Sequence, residues 1–371
     1  MNVIFTCGGT AGHVNPALAL AGYMKRKHPD CRILFVGTPT GMERGLVIKA
    51  GYEFRGIEIG GFERQLNWEN IRYNLSSVVH LLTVSGKAKR LLREVKPDLI
   101  VGTGGYASYP MIKYGSKMGI PTAVHESNMI PGLTTRTLED YASCIMVGFE
   151  ECRQHYKHPE KISVTGTPVR GDFFDLTHEQ AREKLGLDDK PLVVSFWGSL
   201  GASRMNREMV DFFRLEKADG FPFHHIHAIG SGNWETMKTQ LTGEGLMDYP
   251  DLDIRKYIYD MAVVMRAADL VICRAGASTV SEVTALAVPT IIVPSPYVAN
   301  HHQEKNAGIL ADHGGACVLP ETETTGATLY AAAREILSDP ARQERMRRGM
   351  KELGILDATE RIYQTVMALV K

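Results

Sequence analysis

Short apolar runs alternate with amphipathic stretches along the chain. Val3-Ile4-Phe5, Ile33-Leu34-Phe35-Val36 and Leu99-Ile100-Val101 are apolar at consecutive positions and are closed by glycine. Short runs that are apolar on both faces fit strands buried inside a parallel sheet. Helical patterns lie between them, such as Pro16 to Lys27, and the alternation resumes at Leu192-Val193-Val194-Ser195-Phe196. Strand–helix alternation with glycine-rich turns predicts a doubly wound α/β architecture.

The pattern also echoes itself. Pro97-Asp98-Leu99-Ile100-Val101-Gly102-Thr103-Gly104-Gly105 parallels Ala268-Asp269-Leu270-Val271-Ile272-Cys273-Arg274-Ala275-Gly276. Further on, Gly119-Ile120-Pro121-Thr122-Ala123-Val124 parallels Ala287-Val288-Pro289-Thr290-Ile291-Ile292 at nearly the same separation. Either echo alone is a phrase that α/β proteins reuse by chance, but the matched spacing points to two Rossmann-like domains in tandem. The boundary is expected near Thr165-Gly166-Thr167-Pro168, after the strand-like Ile162-Ser163-Val164. Two compact domains on a short connection predict a cleft facing the carboxyl ends of both sheets, where open α/β sheets bind ligands.

Composition narrows the class. A chain of 371 residues suits about two domains. Hydrophobic residues are 44% and charged residues 23%, enough for a sizeable core. Lys+Arg and Asp+Glu balance at 42 each, which removes the case for bulk nucleic-acid binding. Met1-Asn2 lacks a basic leader, and the first apolar run stops at Gly8-Gly9, so no secretory signal is expected. No apolar run approaches the ~20 residues that cross a bilayer. Cys7, Cys31, Cys144, Cys152, Cys273 and Cys317 form no C-x-x-C pair, and several sit in apolar runs. They read as small core residues in a reducing compartment.

Several motifs carry candidate chemistry. Gly8-Gly9-Thr10-Ala11-Gly12-His13 follows the first strand and opens a helix, whose free N–H groups suit anionic oxygens. It is not G-x-G-x-x-G, so a nicotinamide reading is weak. His13 either accepts a proton in the cleft or merely caps and packs. Gly198-Ser199-Leu200-Gly201-Ala202-Ser203 is the matching turn of the second half; Ser199 adds a hydroxyl donor, or serves only the helix cap. Arg274 to Glu282 is a third strand–turn–helix junction, where Glu282 could accept from a ribose diol or simply favour the helix N-terminus. His301-His302-Gln303-Glu304-Lys305-Asn306-Ala307 offers polar groups for sugar hydroxyls. Metal binding is not expected: His301 and His302 do not share a helix face, His225 and His227 lack a third ligand, and the D-x-D at Asp251–Asp253 is a short match in a loop.

The segments Gly8–Ala21, Gly102–Pro110, His125–Gly132, Thr165–Arg170, Trp197–Asn206, Arg274–Glu282 and His301–Ala307, read in order, resemble the MurG family of bacterial UDP-N-acetylglucosamine transferases. The resemblance runs along nearly the whole chain. It implies a GT-B fold of two Rossmann-like, doubly wound domains. Residues 1–166 would be the acceptor and membrane-side domain, joined by a returning C-terminal helix at about 354–371. Residues 167–353 would bind UDP-GlcNAc. It implies inverting, metal-independent transfer of N-acetylglucosamine to the 4-hydroxyl of the muramyl sugar of lipid I, giving lipid II. No cofactor and no nucleic acid are implied.

Carried over by position, Thr10, Ala11 and Gly12 would meet the sugar and diphosphate end of the donor, and Asn128 the donor sugar. Arg170 and Ser199 would take the diphosphate. Ile258 would meet uracil through its backbone. Ala277, Ser278, Thr279 and Glu282 would line the nucleoside, with Glu282 on the ribose, and Gln303 would hold sugar hydroxyls. Some members have Gly where Ala11 stands, Gln where Ser127 stands and Asn where Thr167 stands. Ala11 disfavours a left-handed backbone there, and Ser127 is too short for a glutamine contact.

Without a metal, helix N-termini, Arg170 and Ser199 must stabilise departing UDP. A charge-assisted hydrogen bond is worth ~1.5–3 kcal/mol and a helix terminus up to ~2 kcal/mol. The acceptor hydroxyl must also lose a proton. His13 is the first candidate base and Glu126 the second, although Glu126 could instead orient His13 or bind acceptor; His125 is a further option. Leu75, Val78, Val79 and Leu82 form an apolar helical stripe, followed by Lys87, Lys89, Arg90, Arg93 and Lys96. This is either a core helix with a solvated basic face or a patch for the anionic inner leaflet. The resemblance favours the second, with peripheral binding at the cytoplasmic face of the membrane. Rival readings are a UDP-GlcNAc 2-epimerase, another lipid-acceptor glycosyltransferase, and a non-catalytic nucleotide-sugar module.

Overall fold

The computed structural model describes residues 1–58, 84–247, 249–298 and 301–370. The chain divides into two compact units: Met1–Val169 with Ile355–Lys371, and Arg170–Gly354. The apolar stripe at Leu75 to Leu82 lies outside the described residues.

The first unit is a seven-stranded parallel sheet. Its strands are β1 (Asn2–Thr6), β2 (Arg32–Gly37), β3 (Glu53–Gly56), β4 (Leu99–Gly102), β5 (Thr122–Glu126), β6 (Cys144–Val147) and β7 (Ile162–Val164). They run in the order β3-β2-β1-β4-β5-β6-β7. The order reverses between β1 and β4, whose register pairs Phe5 with Val101 and Thr6 with Gly102. Central strands are buried on both faces, as their unbroken apolar runs require. Val14, Leu20 and Met24 of the helix Ala11–Lys27 join Val3, Phe5 and Phe35 in the core. Ile362 and Val366 of the helix Ala358–Met367 share that core, so the last helix is built into this unit.

The second unit repeats the plan. Its strands are β8 (Leu192–Phe196), β9 (His224–Ala228), β10 (Leu252–Arg255), β11 (Leu270–Cys273), β12 (Thr290–Ile292) and β13 (Ala316–Val318). They run in the order β10-β9-β8-β11-β12-β13. The switch point falls between β8 and β11, where Cys273 pairs with Phe196. Met205, Met209, Phe212 and Phe213 of the helix Ser203–Ala218 fill the core against Val193, Leu270 and Ile272.

The two echoes sit at matching places. The first is β4 and β11, the second β5 and β12, each pair in the same order after its switch point. The division between the units falls at Val169–Arg170, a little beyond the expected 166–167. The cause is local. Thr165 N and Gly166 N donate to Val147 O at 3.0 and 3.2 Å, and His125 Nε2 donates to Gly166 O at 3.0 Å. These bonds tie the segment to β5 and β6 before the chain leaves.

Candidate active site

All strands within each sheet are parallel, so the turns that follow them gather at one edge. In the first unit the turns after β1 and β4 interlock. Gly105 has φ +83°, and a Cβ there would stand 2.3 Å from Gly8 O. Gly104 has φ +109°, and a Cβ there would reach 2.6 Å from His13 Cδ2. Only glycine allows both the left-handed backbone and that approach. Thr103 Oγ1 donates to His13 O at 2.6 Å, which ties β4 to the first turn of the helix.

His13 is half-buried at this junction, and its Nδ1 lies 2.8 Å from Gly8 O. A carbonyl oxygen only accepts, so Nδ1 carries the proton. In the neutral form of the ring this leaves Nε2 as the acceptor. Thr10 is exposed at the N-cap, and the helix has no side-chain cap and no acidic residue in its first turn. Ala11 and Gly12 begin the helix in right-handed geometry, so no left-handed residue is needed at Ala11. The orphan N–H groups and the dipole make this end receptive to an anion.

The other base candidates stand differently. His125 is buried; its Nε2 donates to Gly166 O, and Ser127 Oγ lies 3.4 Å from Nδ1. Burial pushes its pKa down, only partly offset by the Gly166 carbonyl and Glu126. It is a neutral packing histidine. Glu126 accepts at Oε1 from Asn128 N and Nδ2 (3.1 and 3.0 Å) and at Oε2 from Gly132 N and Thr135 Oγ1 (3.0 and 2.7 Å). Its lone pairs are committed to the loop that carries Asn128, which argues against a base role.

In the second unit the turns after β8 and β9 interlock in the same manner. Gly201 has φ +79°, and a Cβ there would lie 2.1 Å from Ile229 O. Ser231 N and Gly232 N donate to Ser199 O and Leu200 O, both at 3.1 Å. Ser199 is thereby held exposed at the crest, before the helix Ser203–Ala218, which also lacks a side-chain cap and an acidic first turn.

The turn after β11 places Ala277, Ser278 and Thr279, all half-buried, in the first turn of the helix Ala277–Leu286. Asn306 Nδ2 braces that turn by donating to Ala275 O at 3.0 Å. Arg274 is structural: it donates to Val293 O at 3.0 Å and Glu321 Oε2 at 2.7 Å and lies over the Trp197 ring. Glu282, half-buried on the same helix, has its carboxyl pushed up to about 7 by burial, against the pull of the positive charge of Arg170. Arg170 opens this unit, exposed, with its guanidinium 3.1 Å from Asp172. Gln303 accepts from Ser295 N at 2.9 Å through Oε1, which directs its NH2 group elsewhere. Ile258 is buried between exposed Tyr257 and Tyr259, so its side chain anchors the loop.

The D-x-D carboxylates are occupied: Asp251 pairs with Lys190 and His224, and Asp253 with Arg255. Lys87, Lys89, Arg90, Arg93 and Lys96 are all exposed, with Lys87 paired to Glu58 at 2.7 Å. Among the described residues, no helix is long and apolar enough to cross a membrane. Sequence reasoning missed Glu43, a fully buried carboxylate against the β1 turn. It also missed the buried Glu216–His225–Ser195–His227 chain in the second core.

Two parallel α/β units, each with its glycine turns at the carboxyl edge of its sheet, form the two-domain GT-B fold. Residues 3–147 match the glycosyltransferase family 28 N-terminal domain, and residues 192–362 its C-terminal domain. The chain belongs to the MurG family, within glycosyltransferase family 28. A relative from Acetivibrio thermocellus, named UDP-N-acetylglucosamine–N-acetylmuramyl-(pentapeptide) pyrophosphoryl-undecaprenol N-acetylglucosamine transferase, is 40% identical, with 100% of this chain and 99% of the relative covered. A Bacillus subtilis relative of the same name is 36% identical, with both chains covered in full. The crystal structure of Acinetobacter baumannii MurG is similar at a TM-score of 0.77 and 27% identity, with 99% of each chain covered.

Proposed function

We propose that this protein transfers N-acetylglucosamine from UDP-N-acetylglucosamine to the 4-hydroxyl of the N-acetylmuramyl sugar of lipid I, forming lipid II for peptidoglycan synthesis. The observation that carries the reading is the full-length match to relatives whose name states that donor and that acceptor. Both domain models are those of a transferase, which disfavours a 2-epimerase.

The reaction is an in-line displacement. The acceptor oxygen attacks the anomeric carbon, the bond to the diphosphate breaks, and its electron pair leaves on UDP. Attack opposite the leaving group inverts the centre. His13 Nε2 takes the hydroxyl proton, because Nδ1 is already committed to Gly8. Thr10, Ala11, Gly12 and Ser199 offer donors at uncapped helix N-termini, and Arg170 exchanges Asp172 for the diphosphate. Glu282 accepts from the ribose, the backbone at Ile258 meets uracil, and Ala277, Ser278 and Thr279 line the nucleoside. Asn128 and the NH2 group of Gln303 reach the donor sugar. Glu126 positions the Asn128 loop.

A short-chain lipid I analogue and UDP-N-acetylglucosamine, incubated with the purified protein with and without EDTA, test the reading. Disaccharide that survives EDTA supports it. UDP-N-acetylmannosamine without acceptor would replace it with the epimerase. The exposed Lys87, Lys89, Arg90, Arg93 and Lys96 support peripheral binding to anionic lipid at the cytoplasmic face of the membrane. Charge reversal of Lys87, Lys89 and Arg90 is expected to abolish sedimentation with anionic vesicles, since each basic residue contributes roughly 1 kcal/mol at such a surface. Unchanged sedimentation would remove the patch.

A further inference from the structure

We infer that Glu43 is a positioning residue that holds and polarises His13 through the Gly8–Gly9 peptide. The inference rests on the reading of His13 as the base. Glu43 stands in the helix Met42–Lys49 and has no exposed surface. Its Oε1 accepts from Thr38 N at 2.8 Å and Thr38 Oγ1 at 2.6 Å. Its Oε2 accepts from Gly9 N at 3.4 Å. The carbonyl of that same peptide, Gly8 O, accepts from His13 Nδ1 at 2.8 Å. One planar peptide group thus has a carboxylate on its N–H and the imidazole on its C=O.

The slot is built for a carboxylate. A Cβ at Gly41 would lie 2.2 Å from Glu43 Oε2, one at Gly8 would lie 2.8 Å from Oε1, and one at Gly37 would lie 2.7 Å from Cγ. Three glycines clear the space. Among the described residues no cation is paired with this carboxylate, although a buried, unpaired charge is costly. Burial pushes its pKa up, and the bonds from Thr38 and Gly9 more than reverse this, so it stays below the usual carboxylate range. Among the described residues, the other titratable group facing it is Cys7, whose thiol burial and the charge of Glu43 push up to about 12. Cys7 is therefore neutral, and Glu43 supplies the negative charge on this peptide.

The chemistry follows from polarisation. A carboxylate on the N–H increases the negative charge on the C=O, which strengthens the bond from Nδ1–H. As Nε2 takes the proton from the acceptor hydroxyl, the imidazolium is stabilised across the peptide. Glu43 takes no proton. The role is that of the carboxylate in a hydrolase triad, exerted through one backbone amide.

The test is a comparison of Glu43→Gln and Glu43→Asp in the full-length protein. Glu43→Gln keeps the shape and removes the charge; Glu43→Asp keeps the charge and shortens the reach. If the charge matters, Glu43→Gln loses about tenfold or more in kcat with the donor KM within about twofold. The acidic limb of its kcat/KM profile moves to lower pH, because the imidazolium has lost its stabilising charge, and Glu43→Asp retains more activity than Glu43→Gln. In a His13→Gln background, Glu43→Gln costs nothing further. If Glu43→Gln matches or exceeds Glu43→Asp with the limb unmoved, while His13→Gln is inactive, the role of Glu43 is overturned and the base reading stands. If His13→Gln turns over normally, the base reading itself fails. Should Glu43→Gln not fold, Thr38→Val, which removes one of the bonds that keep Glu43 ionised, is expected to move the same limb in the same direction; an unmoved limb would count against the proposal.

Discussion

At the scale of single residues, burial sets the state of one carboxylate and hydrogen bonding that of another. Glu282 has its carboxyl pushed up to about 7, so its charge changes within the working range of pH. An ionised carboxylate accepts from both ribose hydroxyls through two charged oxygens, whereas protonation turns one oxygen into a donor and leaves only weaker, uncharged acceptance. UDP-N-acetylglucosamine should therefore bind more weakly at pH 6 than at pH 8, by up to about tenfold, the change in ionised fraction across a pKa of 7. Calorimetric titration checks this, with Glu282→Gln expected to bind weakly and without pH dependence; a wild-type affinity that is flat with pH would break the assignment. The place of Glu282 on the helix after β11 was legible because the strand–turn–helix motif around it fixes it there. Glu43 was not. In Gly41-Met42-Glu43-Arg44 it reads as an ordinary acid in the first turn of a helix, and its neighbours Gly8 and Gly37 come from two other segments. Local pattern carries no information about which glycines will clear a slot in space.

At the scale of elements, the two sheets were legible because buried parallel strands leave apolar runs, unbroken in β1, β2 and β4 and interrupted only by Ser195 in β8. The echo was legible for the same reason, since β4 and β11 must each fill the place beside the switch point. The interlocking of turns was not, because each member looks like any glycine-rich turn until its partner is known. The β4 turn makes the demand testable. Gly105→Ala must both adopt φ near +83° and push a methyl toward Gly8 O, now 2.3 Å from that position. A strained left-handed residue costs about 1–3 kcal/mol, and the displaced β1 turn should carry His13 with it. Gly45→Ala, on an open helical surface with nothing within 4 Å, is the control. The expected outcome is lower kcat and lower melting temperature for Gly105→Ala and neither for Gly45→Ala. Equal behaviour of the two would show that the turns do not depend on each other.

At the scale of the whole molecule, the second core holds a chain of buried polar side chains. Burial pushes the Glu216 carboxyl up, so it holds its proton and donates to His225 Nδ1 at 2.9 Å. His225 Nε2 then donates to Ser195 Oγ at 2.7 Å, and Ser195 Oγ donates to His227 Nδ1 at 2.6 Å. The chain ends on His227 Nε2, which has no partner among the described residues. Burial pushes His225 down to about 3 and His227 well below its ordinary value of 6.5. Between about 3 and 6.5 the unfolded chain therefore binds protons that the native core refuses. That stability is complete above 6.5 and is lost as pH falls through this window. Glu216 works in the opposite sense, because the native chain keeps a proton that the unfolded chain releases above about 4.5. His125 adds to the histidine direction in the first unit. His227→Phe removes the orphaned N–H and packs beside Phe213; Ser195 Oγ still accepts from His225 but loses the acceptor of its own O–H. The melting temperature of the variant should fall less than that of wild type on going from pH 7.5 to pH 5.5, because the histidine that refuses a proton in the core is gone. If wild type and variant lose stability in parallel, acid sensitivity resides elsewhere, and the chain is a core-packing feature without a role in the pH range of stability.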